Sequence, residues 1–271
     1  MENTKKLIAL DLDGTLLNWR KTIKQETIDA LVKAQEQGHV VMIATGRPYV
    51  SSLRYAKMIQ IDKFNGFISN YNGGLITRLN PEEKIYDVKM DMDLLKRIIN
   101  FMNDMKADYS VLHEKKLYTN KYSRLIFKIY RKLVGQVAID NEELHDYTDF
   151  PVYKVLVNDW KRHLKVTKFK LEKEFGDEVD INFSSRVSIE ITPKETSKGK
   201  SVLRVARILG IDPMDTIAFG NYGNDISMLK MCGTGVAMKN SSSELLDVAD
   251  YVTDTNNRNG IAKYLKKFIL K

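Results

Sequence analysis

The chain has 271 residues, 43% of them hydrophobic and 29% charged, a soluble composition with apolar material for one large core or two smaller ones, and at ~150 residues per domain its length favours two. One cysteine, Cys232, excludes an intrachain disulfide framework or a cysteine-based metal site, which fits a reducing cytoplasm, and no apolar run approaches the ~20 residues of a membrane helix. The net charge of +8 suits anionic partners such as phosphorylated substrates or nucleic acid, but a lysine-rich solvated surface explains it too, so charge selects no partner.

Leu7-Ile8-Ala9-Leu10 reads as a short buried strand, broken at once by Asp11 and too short for a signal-peptide core. Residues 22–37 carry Ile28, Leu31 and Ala34 at helical spacing, and Gly38 ends the helix. Residues 40–44 form a second buried strand closed by Gly46, and Pro48 suits the first turn of the next helix. A third strand begins at Phe67-Ile68, and Asn72-Gly73-Gly74 turns the chain into another extended piece. Buried strands separated by helices imply a parallel sheet covered on both faces.

The middle of the chain has a different rhythm. Residues 93–106 form an amphipathic helix with Leu94, Leu95, Ile98, Met102 and Met105 on one side. Two short strands within 109–119 flank the charged turn Glu114-Lys115-Lys116, followed by a helix at about 122–133 and a strand at 152–157. A helix over 164–175 and strands at 179–183 and 187–191 complete a segment in which strands pair mainly with strands. From Ser197 the alternation returns: a helix carrying Val202, Leu203, Ala206 and Leu209, a strand at 216–219, a helix at about 224–231, and strands at 236–238 and 251–253. The expected fold is therefore α/β, a Rossmann-like doubly wound parallel sheet core made of residues 1–83 and 191–271, with an α+β cap, 84–190, inserted between.

In such a sheet, ligands bind at the carboxyl ends of the strands. Asp11-Leu12-Asp13-Gly14-Thr15 follows the first strand, and period-two geometry puts Asp11 and Asp13 on one side with Leu12 turned away. Adjacent carboxylates repel unless a cation lies between them, and magnesium, which takes hard oxygen ligands and retains water and substrate phosphate, suits the pair. A polar turn that merely ends the strand explains it as well. At Ala44-Thr45-Gly46-Arg47 a hydroxyl and backbone N–H groups meet a helix start, a ready phosphate site, although Thr and Gly are common at such junctions. Gly199-Lys200-Ser201 has the tail of a nucleotide P-loop, but position 194 is lysine where that motif has glycine, which excludes it. Gly220-Asn221-Tyr222-Gly223-Asn224-Asp225 follows another buried strand and opens a helix.

Taken together, Asp-Leu-Asp-Gly-Thr-Leu-Leu (11–17), Ala-Thr-Gly-Arg (44–47), Ser-Lys-Gly (197–199) and Gly-x-x-x-Asn-Asp-x-x-Met-Leu (220–229) resemble the four motifs of the haloacid dehalogenase superfamily. Their order and spacing match its Cof-type branch, in which a class IIB α+β cap follows the second motif; Ser69-Asn70-x-Asn72-Gly73-Gly74, Val236-Ala237-Met238-Lys239-Asn240 and Asn259-Gly260-Ile261-Ala262 match further. The resemblance implies a cytoplasmic, magnesium-dependent phosphatase of small phosphorylated metabolites, such as sugar phosphates, pyridoxal phosphate or flavin mononucleotide, with no nucleic-acid or membrane partner and a monomer by default.

By the same resemblance Asp11 is the nucleophile that becomes an aspartyl-phosphate, and Asp13 protonates the leaving alkoxide and then deprotonates water. Thr45, Lys198 and the backbone amides of Leu12 and Gly46 bind the phosphoryl group, with Lys194 and Lys200 as rivals to Lys198. Asp11, Asp13, Asn221, Asn224 and Asp225 surround the metal, and Arg47 and Asn72 are candidate substrate contacts, Arg47 reading equally as a structural ion-pair partner. One position departs from the pattern: Asn221 stands where the family usually has a metal-binding aspartate. A natural weak-metal variant, an engineered slow variant, and drift toward binding without catalysis all account for it. A phosphomutase of the same fold and a catalytically weakened metabolite-binding or regulatory protein are the alternative functions.

Overall fold

The computed structural model describes residues 4–113, 116–120, 122, 124–126, 129, 141–143 and 150–271. The chain divides into two compact units, Met1–Asp87 with Ser197–Lys271, and Val88–Thr196.

The first unit is an eight-stranded sheet. Its strands are β1 (Leu7–Leu10), β2 (Val40–Ala44), β3 (Phe67–Asn70), β4 (Leu75–Leu79), β5 (Glu82–Asp87), β12 (Thr216–Gly220), β13 (Thr234–Met238) and β14 (Tyr251–Thr253), in the order β14-β13-β12-β1-β2-β3-β4-β5. All pairs from β14 to β3 are parallel, and β4 and β5 join antiparallel. Successive side chains leave a strand on opposite faces, and the core divides accordingly. Ile8, Leu10, Val41, Ile43, Ile217 and Phe219 pack under α1 (Gln25–Glu36), α2 (Tyr49–Met58) and α8 (Gly260–Phe268). Leu7, Ala9, Val40, Met42, Ala44 and Ala218 pack under α5 (Lys198–Leu209) and α6 (Ile226–Met231). With both faces buried the strands need continuous apolar sequence, which is why they read clearly from composition. The edge strand β5 does not: its residues Glu82, Glu83 and Lys84 are exposed, so no apolar run announces it.

From β1 the chain builds outward through β2 and β3, and it later returns to lay β12 on the other flank of β1. The order reverses there, so the carboxyl ends of β1, β2 and β12 border a crevice at the switch point.

The second unit holds β6 (Tyr109–His113), β7 (Lys116–Thr119), β8 (Asn141–Glu143), β9 (Val155–Asn158), β10 (Val179–Ser185) and β11 (Ser188–Pro193), in the order β10-β11-β9-β6-β7-β8. Neighbours are antiparallel except β7 and β8. Tyr109, Val111, Val155, Val157, Ile189 and Ile191 pack against α3 (Met92–Asp104) and α4 (Lys161–Phe175). The opposite face is polar: Lys154 Nζ meets Glu190 Oε1 at 2.6 Å and Asn158 Nδ2 donates to Ser188 Oγ at 2.6 Å. The helix expected over 122–133 and the turn at Glu114 and Lys115 lie largely outside the described residues. No helix among the described residues is long and apolar enough to cross a membrane.

Candidate active site

Asp11 is the first residue past β1, and its N–H donates to Phe219 O at 3.0 Å, which extends the pairing with β12 by one step and fixes the backbone at the switch point. Its carboxylate is buried, and Oδ1 accepts from Lys198 Nζ at 2.6 Å. Lys198 opens α5, has a fully buried side chain, and donates equally to Asp225 Oδ1 at 2.6 Å. The other Asp225 oxygen accepts from the backbone N–H groups of Asn221, at 2.8 Å, and Tyr222, at 3.1 Å, which folds the loop after β12. One lysine thus lies between two buried carboxylates. Burial and the charge of Asp225 push the Asp11 carboxyl up to about 7, against the opposing pull of Lys198. Burial disfavours the lysine charge too, but Asp11 and Asp225 outweigh it and hold Lys198 well above the ordinary lysine range.

The raised value has a thermodynamic consequence. An unfolded aspartate releases its proton near 3.8, whereas folded Asp11 keeps it to about 7. Its stabilising contribution is therefore complete below the lower value and lost as pH rises through the upper one. In metal-free protein, an Asp11→Asn variant should melt higher than the parent by a margin that grows from pH ~4 to pH ~7 and then levels. A margin independent of pH would contradict this.

Asp13 lies on the solvent side. Arg47 forks onto it, Nε to Oδ2 at 2.6 Å and Nη2 to Oδ1 at 2.7 Å, and Lys21 Nζ reaches Oδ1 at 2.6 Å. Burial would raise this carboxyl, but Arg47 and Lys21 together hold it below the usual range. Arg47, offered by the sequence as a substrate contact or an ion-pair partner, is buried with its guanidinium turned onto Asp13. The backbone just past Asp13 turns sharply at Gly14, φ +83, where a Cβ would lie 2.2 Å from Asn221 Nδ2; only glycine lets this loop approach Asn221 so closely.

The phosphate-binding candidates lie beside Asp11. Thr45 is the first residue past β2, its N–H donates to Ser69 O at 2.8 Å, and its Oγ1 accepts from Arg47 N at 3.1 Å, which orients the hydroxyl at the strand end. The Leu12 side chain is core, leaving only its backbone for the site, and Gly46 is half-buried at the start of the same turn. Asn72, buried in a left-handed conformation at φ 55, accepts from Asn224 Nδ2 at 3.3 Å and so links the loop after β3 to the loop after β12. Of the rival lysines, Lys194 Nζ donates to Gly176 O in the other unit, and Lys198 is the one beside Asp11.

The groups that could hold a hard cation are the Asp11 carboxylate, the Asp13 backbone carbonyl, since both side-chain oxygens of Asp13 are taken by Arg47 and Lys21, and Asn221, whose Oδ1 accepts from Thr15 Oγ1 at 3.3 Å. Among the described residues, no group of three His, Cys, Asp or Glu side chains is arranged to hold a metal by itself. An all-oxygen set with one or two carboxylates fits magnesium, which fills the rest of its octahedron with water and substrate phosphate, and does not fit zinc. Asparagine 221 lowers the charge of the set by one without removing its oxygen.

Several residues that shape this site stand far from it in the chain. Asn240 Nδ2 donates to Gly14 O at 2.8 Å and Asn256 Nδ2 to Leu17 O at 2.7 Å, so segments more than two hundred residues away brace the loop after Asp13. Lys21 and Tyr55, nearer in the chain, join this set.

The family described as haloacid dehalogenase-like hydrolase matches residues 8–265. The 5-amino-6-(5-phospho-D-ribitylamino)uracil phosphatase YitU of Bacillus subtilis is 27% identical, over 99% of each chain. The pyridoxal phosphate phosphatase YbhA of Escherichia coli is 28% identical over 98% of this chain and all of its own. Among solved structures, the subclass IIB sugar phosphatase BT4131 superposes with a TM-score of 0.82 at 26% identity, covering 97% of this chain and 99% of its own.

Proposed function

The chain belongs to the haloacid dehalogenase-like hydrolases and is a subclass IIB phosphatase that hydrolyses phosphomonoesters of small metabolites, and from that premise we propose that it works through covalent attack by Asp11. The observation that carries this reading is the buried Asp11–Lys198–Asp225 array at the switch point. Lys198 neutralises the nucleophile before substrate arrives, and can then turn a donor toward the equatorial phosphoryl oxygens as negative charge gathers there. The Thr45 hydroxyl and the amides of Leu12 and Gly46 supply further donors. Asp225 is a support in this scheme: its oxygens hold Lys198 and the Asn221 backbone.

Asp13 delivers a proton to the leaving oxygen and later takes one from the water that cleaves the phosphorylated Asp11, so a single carboxyl serves as acid and then base. Asp11 and Asn221 through their side chains, and Asp13 through its backbone, would hold magnesium, which supplies charge neutralisation between the carboxylate and the incoming phosphate. The inserted unit, Val88–Thr196, is the candidate for selecting among substrates. Sugar phosphates are the proposed substrates, with pyridoxal phosphate and flavin mononucleotide next; all are phosphomonoesters. A panel of such esters assayed with magnesium tests this, and hydrolysis of none of them would remove it.

Asn221 sets a further expectation. A dication and a carboxylate ~4 Å apart at an effective dielectric of ~20 attract by roughly 8 kcal/mol before desolvation, an upper bound on what the amide forgoes. Asn221→Asp should lower the magnesium concentration for half-maximal activity by at least about tenfold, and calorimetric titration should show the same shift in binding. Equal metal dependence in the two proteins would contradict it.

A further inference from the structure

Asp13 is gripped by cations from two separate elements, and one buried side chain joins them. Lys21 lies in the loop between β1 and α1 at φ 57, a left-handed conformation that costs a non-glycine residue about 1–3 kcal/mol. The loop is built to keep it there. Asn18 Oδ1 accepts from the N–H groups of Arg20, at 2.9 Å, and Thr22, at 3.1 Å; Asn18 Nδ2 donates to Thr22 Oγ1 at 2.8 Å; and Lys21 N donates to Asn18 O at 3.0 Å. From this ring Lys21 Nζ extends to Asp13 Oδ1. The Lys21–Asp13 pair is 43% and 41% exposed, and so solvated a pair contributes at most ~1 kcal/mol, which does not offset the backbone strain. The turn is held by the Asn18 hydrogen bonds, and the ion pair itself adds little to stability.

Tyr55, on α2, is buried, donates its hydroxyl to Lys21 O at 3.3 Å, and presents its ring to the Arg47 guanidinium at 5.7 Å. The ring supports one cation and the hydroxyl the backbone of the other. We propose that Lys21 and Tyr55 are positioning residues for Asp13: Lys21 fixes its carboxylate in the orientation that meets the leaving oxygen, and Tyr55 holds Lys21 in register with Arg47. The proposal rests on Asp13 being the general acid, as read above.

The test compares kcat/KM for two esters, since this ratio reports transfer to Asp11 and not the later hydrolysis. p-Nitrophenyl phosphate expels a stable aryloxide that needs no proton, whereas glycerol phosphate expels an alkoxide that does. Lys21→Met removes the contact that aims Asp13 and also a cation that disfavours its protonated form; with the loss of aim dominant, kcat/KM for glycerol phosphate should fall about tenfold more than for p-nitrophenyl phosphate, a modest share of the ~10²–10⁴-fold that a general acid supplies. Tyr55→Phe, which removes one oxygen and keeps the ring, should shift the ratio in the same direction by less, and Lys21→Arg should restore it. Equal losses on both esters, or none, would overturn the proposal. An Asp13→Asn control separates the two levels. If it shows the preferential loss while the Lys21 and Tyr55 variants do not, positioning fails alone. If it shows none, Asp13 is not the acid and both readings fall.

Discussion

Replacing Asp11 by asparagine is expected to reduce steady-state phosphatase activity by at least about 10⁴-fold, the scale on which removal of an enzyme nucleophile is felt. The substitution keeps shape and hydrogen-bonding reach but removes the attacking lone pair and the negative charge. Lys198 retains Asp225 as a partner at 2.6 Å, so the lysine stays charged and in place. The variant should consequently remain folded and, above pH ~7, be more stable than its parent, because a carboxyl pushed up to about 7 no longer has to ionise in a buried site. Lost activity with gained stability marks a group kept for chemistry rather than for the fold. Activity within tenfold of the parent would move the nucleophile elsewhere.

Lys198→Met should show the opposite pairing, with activity and stability falling together. Methionine fills most of the volume but leaves the buried carboxylates of Asp11 and Asp225 facing one another without a cation. Removing one member of a buried ion pair costs about 3–5 kcal/mol, which at roughly 2–4 °C per kcal/mol for a chain of this size lowers Tm by about 10 °C. The loss should be greatest in alkali and shrink as pH falls through neutrality, because without Lys198 the Asp11 carboxyl, already pushed up to about 7, takes up its proton more readily still and the repulsion ends. Activity should drop by about 10²–10³-fold even where the protein is folded, since a donor aimed at the developing phosphoryl charge is gone. A Tm within about 2 °C of the parent at neutral pH would show that the array does not carry the electrostatic weight assigned to it.

The sequence exposes those parts of this site that are local. Asp11 and Asp13 stand two residues apart at the end of an apolar strand, and Thr45 and Asn221 occupy the same place after β2 and β12, so strand periodicity alone collects them at one edge. Lys198 could be separated from Lys194 and Lys200 only by motif alignment. Three-dimensional placement makes the reason physical, because Lys194 turns to a carbonyl of the second unit and Lys198 turns inward to Asp11. The partners of Asp13 were not legible. Lys21 reads as one lysine among many on a basic chain, and Tyr55 as an ordinary aromatic on a helix, until folding brings one to 2.6 Å from Asp13 and the other against both cations. Arg47 was ambiguous in sequence because its fork can serve a carboxylate or a phosphate equally well; in the structure it lies on the carboxylate of Asp13. The edge strand β5 escaped for a simpler reason: four of its six residues are exposed, and it has no apolar signature to read.

The central claim is that Asp11 carries the phosphoryl group between the two halves of the reaction. Acyl phosphates survive acid and decay in base, so turnover of an active ester with magnesium should be quenched in acid, the protein digested, and the peptides weighed. Phosphate on the peptide that contains Asp11, absent from an Asp11→Asn digest and lost on brief alkaline treatment, is the expected result. Turnover at full rate with no phosphorylated peptide, or with the phosphate on a different residue, would contradict it.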